Sequence, residues 1–187
     1  FKKIKIKKIM SKSKWVLDPT HSEIQFKVKH LMITNVTGSF NSFNVEAETI
    51  DDNFTEAKIS FSADVDSIST NNEQRDGHLK SADFFDVASY PKISFEATNA
   101  VNLERDGNYD LVGDLTIKDV TKSIKLNIEF AGVTKDPYGN TKAGFAISGK
   151  IHRSDFGLTW NAALETGGVM VSEDVRILGE IQLVKQA

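Results

Sequence analysis

From Ser22 to His30 the apolar residues Ile24, Phe26 and Val28 alternate with Glu23, Gln25, Lys27 and Lys29. A period of two sends successive side chains to opposite faces of a strand, so this stretch reads as a half-buried strand. The pattern recurs along the chain. Ala57, Ile59, Phe61, Ala63 and Val65 alternate with Lys58, Ser60, Ser62, Asp64 and Asp66, and Ile93, Phe95 and Ala97 with Ser94, Glu96 and Thr98. Further runs place Tyr109, Leu111, Gly113, Leu115 and Ile117 on one face, then Ile124, Leu126, Ile128 and Phe130, then Phe145, Ile147, Gly149 and Ile151. The last run is Val175, Ile177, Gly179, Ile181 and Leu183. With a strand expected over 43–49, the chain holds about eight strands.

Turn residues separate these strands at Asp51-Asp52-Asn53, Asp106-Gly107-Asn108 and Asp136-Pro137-Tyr138-Gly139-Asn140. Short connections of residues that tolerate positive φ imply antiparallel neighbours. The one clear helical candidate is Glu73–Asp86, too short to cover the apolar face of a sheet, so the sheet must cover itself. An all-β, eight-stranded antiparallel barrel does this and leaves no free edges, which favours it over a sandwich. Phe26, Val28, Phe61, Phe95, Leu115, Ile117, Ile128, Phe130, Phe145 and Ile147 then face the interior by parity. Gly113, Gly149 and Gly179 share that parity, where a missing side chain permits bending or leaves interior space.

The chain is 187 residues long, 40% hydrophobic and 26% charged, enough for one domain with a sizeable core. No apolar run approaches the ~18 residues of a membrane-spanning helix, so stable membrane insertion is not expected. Cysteine is absent, which excludes disulfides, thiolate nucleophiles and cysteine-ligated metals. The net charge of -3 conceals an asymmetry: residues 1–14 carry seven Lys and no acid, leaving sixteen bases against 26 acids in the rest. A body of charge -10 repels polyanions, so nucleic acid is not an expected partner. Residues 1–14 read as a basic leader, disordered or, before Met10, from upstream of the start, and 15–187 as a single barrel domain. The leader lacks the apolar stretch of a signal peptide, so the expected compartment is the cytoplasm.

Little in the chain suggests catalysis. There is no Gly-x-Ser-x-Gly elbow, no phosphate-binding loop and no dinucleotide-binding glycine pattern. The histidines at 21, 30, 78 and 152 never fall at metal-ligand spacing, and no metal or cofactor is expected. His30 has the inward parity of Phe26 and Val28 yet carries two polar nitrogens, so it lies at the barrel rim or binds something. Arg75-Asp76-Gly77-His78, followed by Asp83-Phe84-Phe85-Asp86, reads as an amphipathic lid: Phe84 and Phe85 line an opening while Arg75 and His78 stay near water. Arg153 begins a second irregular stretch that serves the same mouth or pairs with an aspartate.

Asp18-Pro19-Thr20-His21-Ser22 leading to Ile24-x-Phe26-x-Val28-x-His30, then Gly38-x-Phe40 and Arg75-Asp76-x-His78-Leu79, resembles the bacterial YceI-like polyisoprenoid-binding family. Tyr90-Pro91-x-Ile93-x-Phe95, Gly113-x-Leu115-Thr116-Ile117, Arg153-x-Asp155-Phe156-Gly157 and Val171-Ser172-Glu173-x-Val175 continue the resemblance in order over residues 15–184. It implies a lipocalin-like barrel with a short helical lid, binding, carrying or storing a small-molecule lipid without catalysis, and suggests a homodimer. The implied ligand is a polyisoprenoid, quinone-like or fatty-chain lipid, fatty acids and amides being the alternative in the same tunnel. An isomerase using His30 or His78 as a base, and a filled barrel that binds a protein on its outside, are the readings from other classes. At ~0.8 kcal/mol per buried CH2, eight isoprene units would reach ~30 kcal/mol, beyond the ~18–21 kcal/mol at which affinities saturate, so cavity shape must set chain length.

Overall fold

The computed structural model describes residues 9–187, and the first eight residues of the basic leader lie outside it. Eleven strand segments form one sheet: β1 (Lys12–Leu17), β2 (Glu23–His30), β3 (Thr34–Phe40), β4 (Phe43–Ile50), β5 (Asn53–Asp64), β6 (Ile68–Ser69), β7 (Lys92–Val101), β8 (Tyr109–Ile117), β9 (Val120–Lys135), β10 (Thr141–His152) and β11 (Val171–Lys185). One helix, α1 (Glu73–Lys80), stands between β6 and β7. The ring β1-β4-β5-β7-β8-β9-β10-β11 closes through a β1–β11 pairing, which makes an eight-stranded antiparallel barrel. β2 pairs with β11 above β1, and β3 with β2 above β4. β1 and β2 are therefore two halves of one long stave, and β3 and β4 two halves of the next.

The first stave breaks at a short 3-10 turn, Pro19–His21. Asp18 ties the break down. Its carboxylate accepts from the Thr20 backbone N–H at 3.2 Å, Lys142 Nζ at 2.8 Å and Gln182 Nε2 at 3.1 Å, and His21 Nδ1 stands 2.9 Å away. The Lys142 contact foremost holds the Asp18 carboxyl well below the usual carboxylate range.

The domain begins earlier than residue 15. Lys12 and Lys14 lie on β1, where Ser13 and Trp15 are the buried positions, so part of the basic leader is a barrel stave. The helix is shorter than the sequence suggests. Asn72 caps its start by accepting from the Arg75 N–H at 2.9 Å, and it stops at Ser81, whose hydroxyl donates to the His78 carbonyl at 2.6 Å. Asp83–Asp86 follow as turns.

The chain runs up and down, so the connections sort to two ends. The turns at 51–52, 102–108 and 136–140 share one end with Lys12 and Lys185. The 31–33 turn, the 65–91 connection with α1, and the 153–170 segment share the other. Interior alternation is cleanest on β8, where Tyr109, Leu111, Gly113, Leu115 and Ile117 are buried. The inward glycines do not leave empty space. A Cβ at Gly113 would stand 2.4 Å from the Phe95 ring, and one at Gly149 2.7 Å from Leu126, because neighbouring side chains already occupy those volumes.

Candidate functional site

A largely apolar cavity of about 390 Å³ runs inside the barrel. Its wall includes Phe26, Val28, Phe61, Phe95, Leu115, Ile117, Ile128, Phe145 and Ile147, as strand parity requires. His30, Arg75, His78, Phe84, Phe85 and Arg153 line it as well. Phe130 is the one inward-parity candidate that is not part of the lining. A bulge between Gly144 and Phe145 pairs Phe130 with Phe145, and there it packs 5.2 Å from the Phe145 ring and 5.9 Å from Phe54. With Trp15, whose ring lies 4.9 Å from Phe54, these residues plug the end opposite α1. Trp15 is fully buried and donates from Nε1 to Thr49 Oγ1 at 3.0 Å.

At the other end the polar groups are largely committed to one another. Arg75 donates from Nε to Thr70 Oγ1 at 2.7 Å and from Nη2 to the Thr70 carbonyl at 2.8 Å. Thr70 is itself buried and bonded to Asp76, so Arg75 is set in place while its Nη1 has no protein partner among the described residues. His78 Nε2 stands 2.9 Å from Asp83 Oδ2, and its ring lies 5.0 Å from Phe84 and 4.8 Å from Trp160, edge-on to both. Phe84 and Trp160 are 5.4 Å apart, and Phe85 meets Phe40 at 6.2 Å. The His30 imidazole makes no hydrogen bond among the described residues.

Arg153 is only 4% exposed and, among the described residues, makes no salt bridge to an aspartate. It donates instead to the carbonyls of Ser172 at 2.9 Å, Leu158 at 2.6 Å and Trp160 at 2.8 Å, pinning the 153–172 segment that carries Trp160. Burial pulls its pKa below the ordinary guanidinium value, an effect that Glu173 opposes. Deeper in, Tyr109 lines the cavity at 3% exposure, and burial pushes its phenol up to about 12. Among the described residues no three His, Asp or Glu side chains gather as metal ligands, and no helix is long and apolar enough to cross a membrane.

The sequence pattern of the YceI-like domain matches residues 15–183, nearly all of this barrel. The chain belongs to the YceI-like family. A UPF0312 protein of Staphylococcus aureus strain N315 is 42% identical over 163 residues, 87% of this YceI-like chain and 92% of that protein. The Campylobacter jejuni YCEI protein superposes with a TM-score of 0.71 at 32% identity, covering 91% of this chain and 97% of that one. A polyisoprenoid binding domain from Saccharophagus degradans, implicated in plant cell wall breakdown, shares the fold at a TM-score of 0.63 and 14% identity, covering 92% of this chain and 98% of that one.

Several lining residues of the YceI-like cavity escaped the list of candidates. Tyr109, Leu111, Ile177 and Ile181 lie on the inward parity of their strands, so the alternation that found Leu115 also marks them. Phe40 carried a weaker signal, two positions from Gly38 on β3. Trp160 had none, because it lies outside any strand or helix.

Proposed function

We propose that the protein binds a single-chain amphiphilic lipid, with its hydrocarbon tail in the barrel and its polar head at the α1 end. The observation that carries this reading is the cavity: an apolar interior with its uncommitted donors, Arg75 Nη1 and the His30 imidazole, on the lining. An isoprenoid tail is the reading favoured among lipids, in keeping with what the S. degradans domain binds. Arg75 would meet a phosphate, carboxylate or quinone oxygen with a preset donor, and His30 would add a second.

Cavity size bears on chain length. An apolar cavity of about 150 Å³ takes one benzene ring, so about 390 Å³ holds on the order of fifteen carbons, or three isoprene units. At ~0.8 kcal/mol per CH2 their burial contributes roughly 12 kcal/mol before the costs of association, within the observed range of affinities. A chain of eight units would have to displace Phe84, Phe85 and Trp160.

Native mass spectrometry of protein purified without detergent tests the reading directly. A retained prenyl compound of about three units supports an isoprenoid carrier, and a retained fatty acid or amide of similar carbon count supports the alternative occupant. Phe95→Asp, which puts an unpaired charge in the bore, should cost several kcal/mol of stability or abolish uptake. A Phe95→Asp protein that folds normally and takes up farnesol as before would sink the cavity reading.

A further inference from the structure

We propose that the 31–33 turn and the outer face of β2, β10 and β11 dock on an anionic lipid bilayer. The turn is unusual in its chemistry. Leu31 and Met32 have φ of 52° and 62°, in the left-handed region that hairpins reserve for Asn, Asp or Gly. At the opposite end Asp51 and Asp52 adopt the same conformation, at 52° and 57°, with polar side chains. The mouth turn instead holds Met32 and Ile33 out in water, 51% and 78% exposed. The Leu31 N–H donates to the Met170 carbonyl at 2.8 Å, which ties this tip to the segment bearing Val169, another exposed aliphatic. His30, Met170 and Val171 line the cavity, so the apolar tip borders its wall.

Just below the tip, strand register aligns Lys150 on β10 with Arg176 on β11 and Lys27 on β2. Like charges set directly opposite one another across strands are destabilising. Asp174 approaches Lys150 at 3.6 Å, but Arg176 and Lys27 have no acidic partner among the described residues, and neither has Lys29 near the tip. Farther from the mouth, Glu180 faces Glu23 across the same two strands, with Glu129 one strand beyond Ala146. Toward the apolar tip the outer face therefore carries Lys27, Lys29, Lys150 and Arg176 against Glu173 and Asp174, a positive balance, and toward the plugged end it turns acidic. That polarity sets the cationic part of this face beside the apolar tip, so both can meet an anionic surface together, within the ~8–10 Å over which salt leaves charges visible. Aliphatic side chains flanked by unpaired cations match the two parts of such a surface, acyl boundary and charged head groups.

The test is sedimentation with vesicles of phosphatidylcholine, alone or mixed with phosphatidylglycerol. Binding is expected only to the mixed vesicles and should fall as salt rises. Lys27→Ala and Arg176→Ala should each weaken it roughly fivefold, and Ile33→Ser about tenfold or more. Lys135→Ala, an exposed lysine at the end of β9 near the plugged end, should leave it unchanged. No binding to the mixed vesicles, equal losses with Lys135→Ala, or tighter binding to a short DNA duplex at the same salt would each overturn the proposal. Uptake of a fluorescent fatty acid added from ethanol reads the cavity alone. Ile33→Ser should preserve that uptake, so failure of docking and failure of the carrier reading give different results.

Discussion

Both ends of the barrel are closed by aromatic rings, yet the two closures are built differently. At the plugged end Trp15, Phe54, Phe130 and Phe145 all stand on strands, so the ring cluster inherits the rigidity of the hydrogen-bonded ladder. At the mouth His78, Phe84 and Trp160 stand on a helix of eight residues, a turn and an irregular segment. The helix buries none of its residues. Its neighbourhood is held by a few side-chain hydrogen bonds, chiefly those of Arg153, Arg75 and Ser81. The same residue chemistry thus closes one end on hydrogen-bonded strands and the other on short, irregular backbone, where local opening is expected to be easier. What decides is the backbone that carries the rings, because local opening starts where few contacts are buried.

Measurements on the two ends can break this contrast. The largest effect is expected from Trp15→Ala, which empties a fully buried site and strands the Thr49 hydroxyl. It should cost about 3–5 kcal/mol, lowering Tm by on the order of 10 °C. Trp160→Ala, if the mouth closure is separable, should cost about 1 kcal/mol or less in thermal unfolding. Comparable losses at the two tryptophans would mean that the mouth is as integral to the fold as the plug.

The next effect concerns the strand break. Asp18→Asn removes the nearer of the two charge partners of a largely buried Lys142, leaving Asp136 at 3.7 Å, and should cost about 2 kcal/mol near neutral pH. Since the carboxyl is depressed in the folded protein, its contribution is complete above the ordinary carboxylate range and is lost as pH falls through the lowered value. Urea titrations of the two proteins should therefore converge only in acid, and a gap that widens on acidification would contradict the assignment.

A smaller effect separates recognition from support at the mouth. Arg75→Ala should weaken a prenyl phosphate by roughly 1.5–3 kcal/mol more than the matching alcohol, read by titration at one salt concentration. Equal losses would mean that Arg75 serves Thr70 alone. The smallest expected change is in rate: Trp160→Ala should hasten release of a bound chain several-fold with little change in its uptake rate, measured by dilution into empty vesicles.

Strand alternation made most of the barrel legible, because a half-buried strand writes its two faces into every other residue. The segments it missed have physical excuses. On β1 the inward positions are Ser13 and Trp15 between outward lysines, so the basic leader masks a stave. On β3 the middle inward position is Gly38, and the Phe26 ring fills the volume its side chain would take, 2.2 Å from an imagined Cβ. One residue's absence is there supplied by another from the neighbouring strand. The bore was legible by parity, but parity cannot give depth along a tilted stave, which is why Phe130 lies in the plug. Arg153 shows a second limit. Its partners are backbone carbonyls, which leave no mark on the sequence.

The β1–β11 pairing also bears on how the molecule is made. Trp15 meets Lys185, and Leu17 meets Leu183, so the wall is completed only when the two ends of the domain find each other. Contacts of such sequence separation are slow to form, because a long loop must close before they repay its entropy. Until the last strand has left the ribosome, β1 and β10 each present an open edge that invites pairing with other chains. For a nascent barrel, the final strand is therefore the interval of greatest exposure to aggregation.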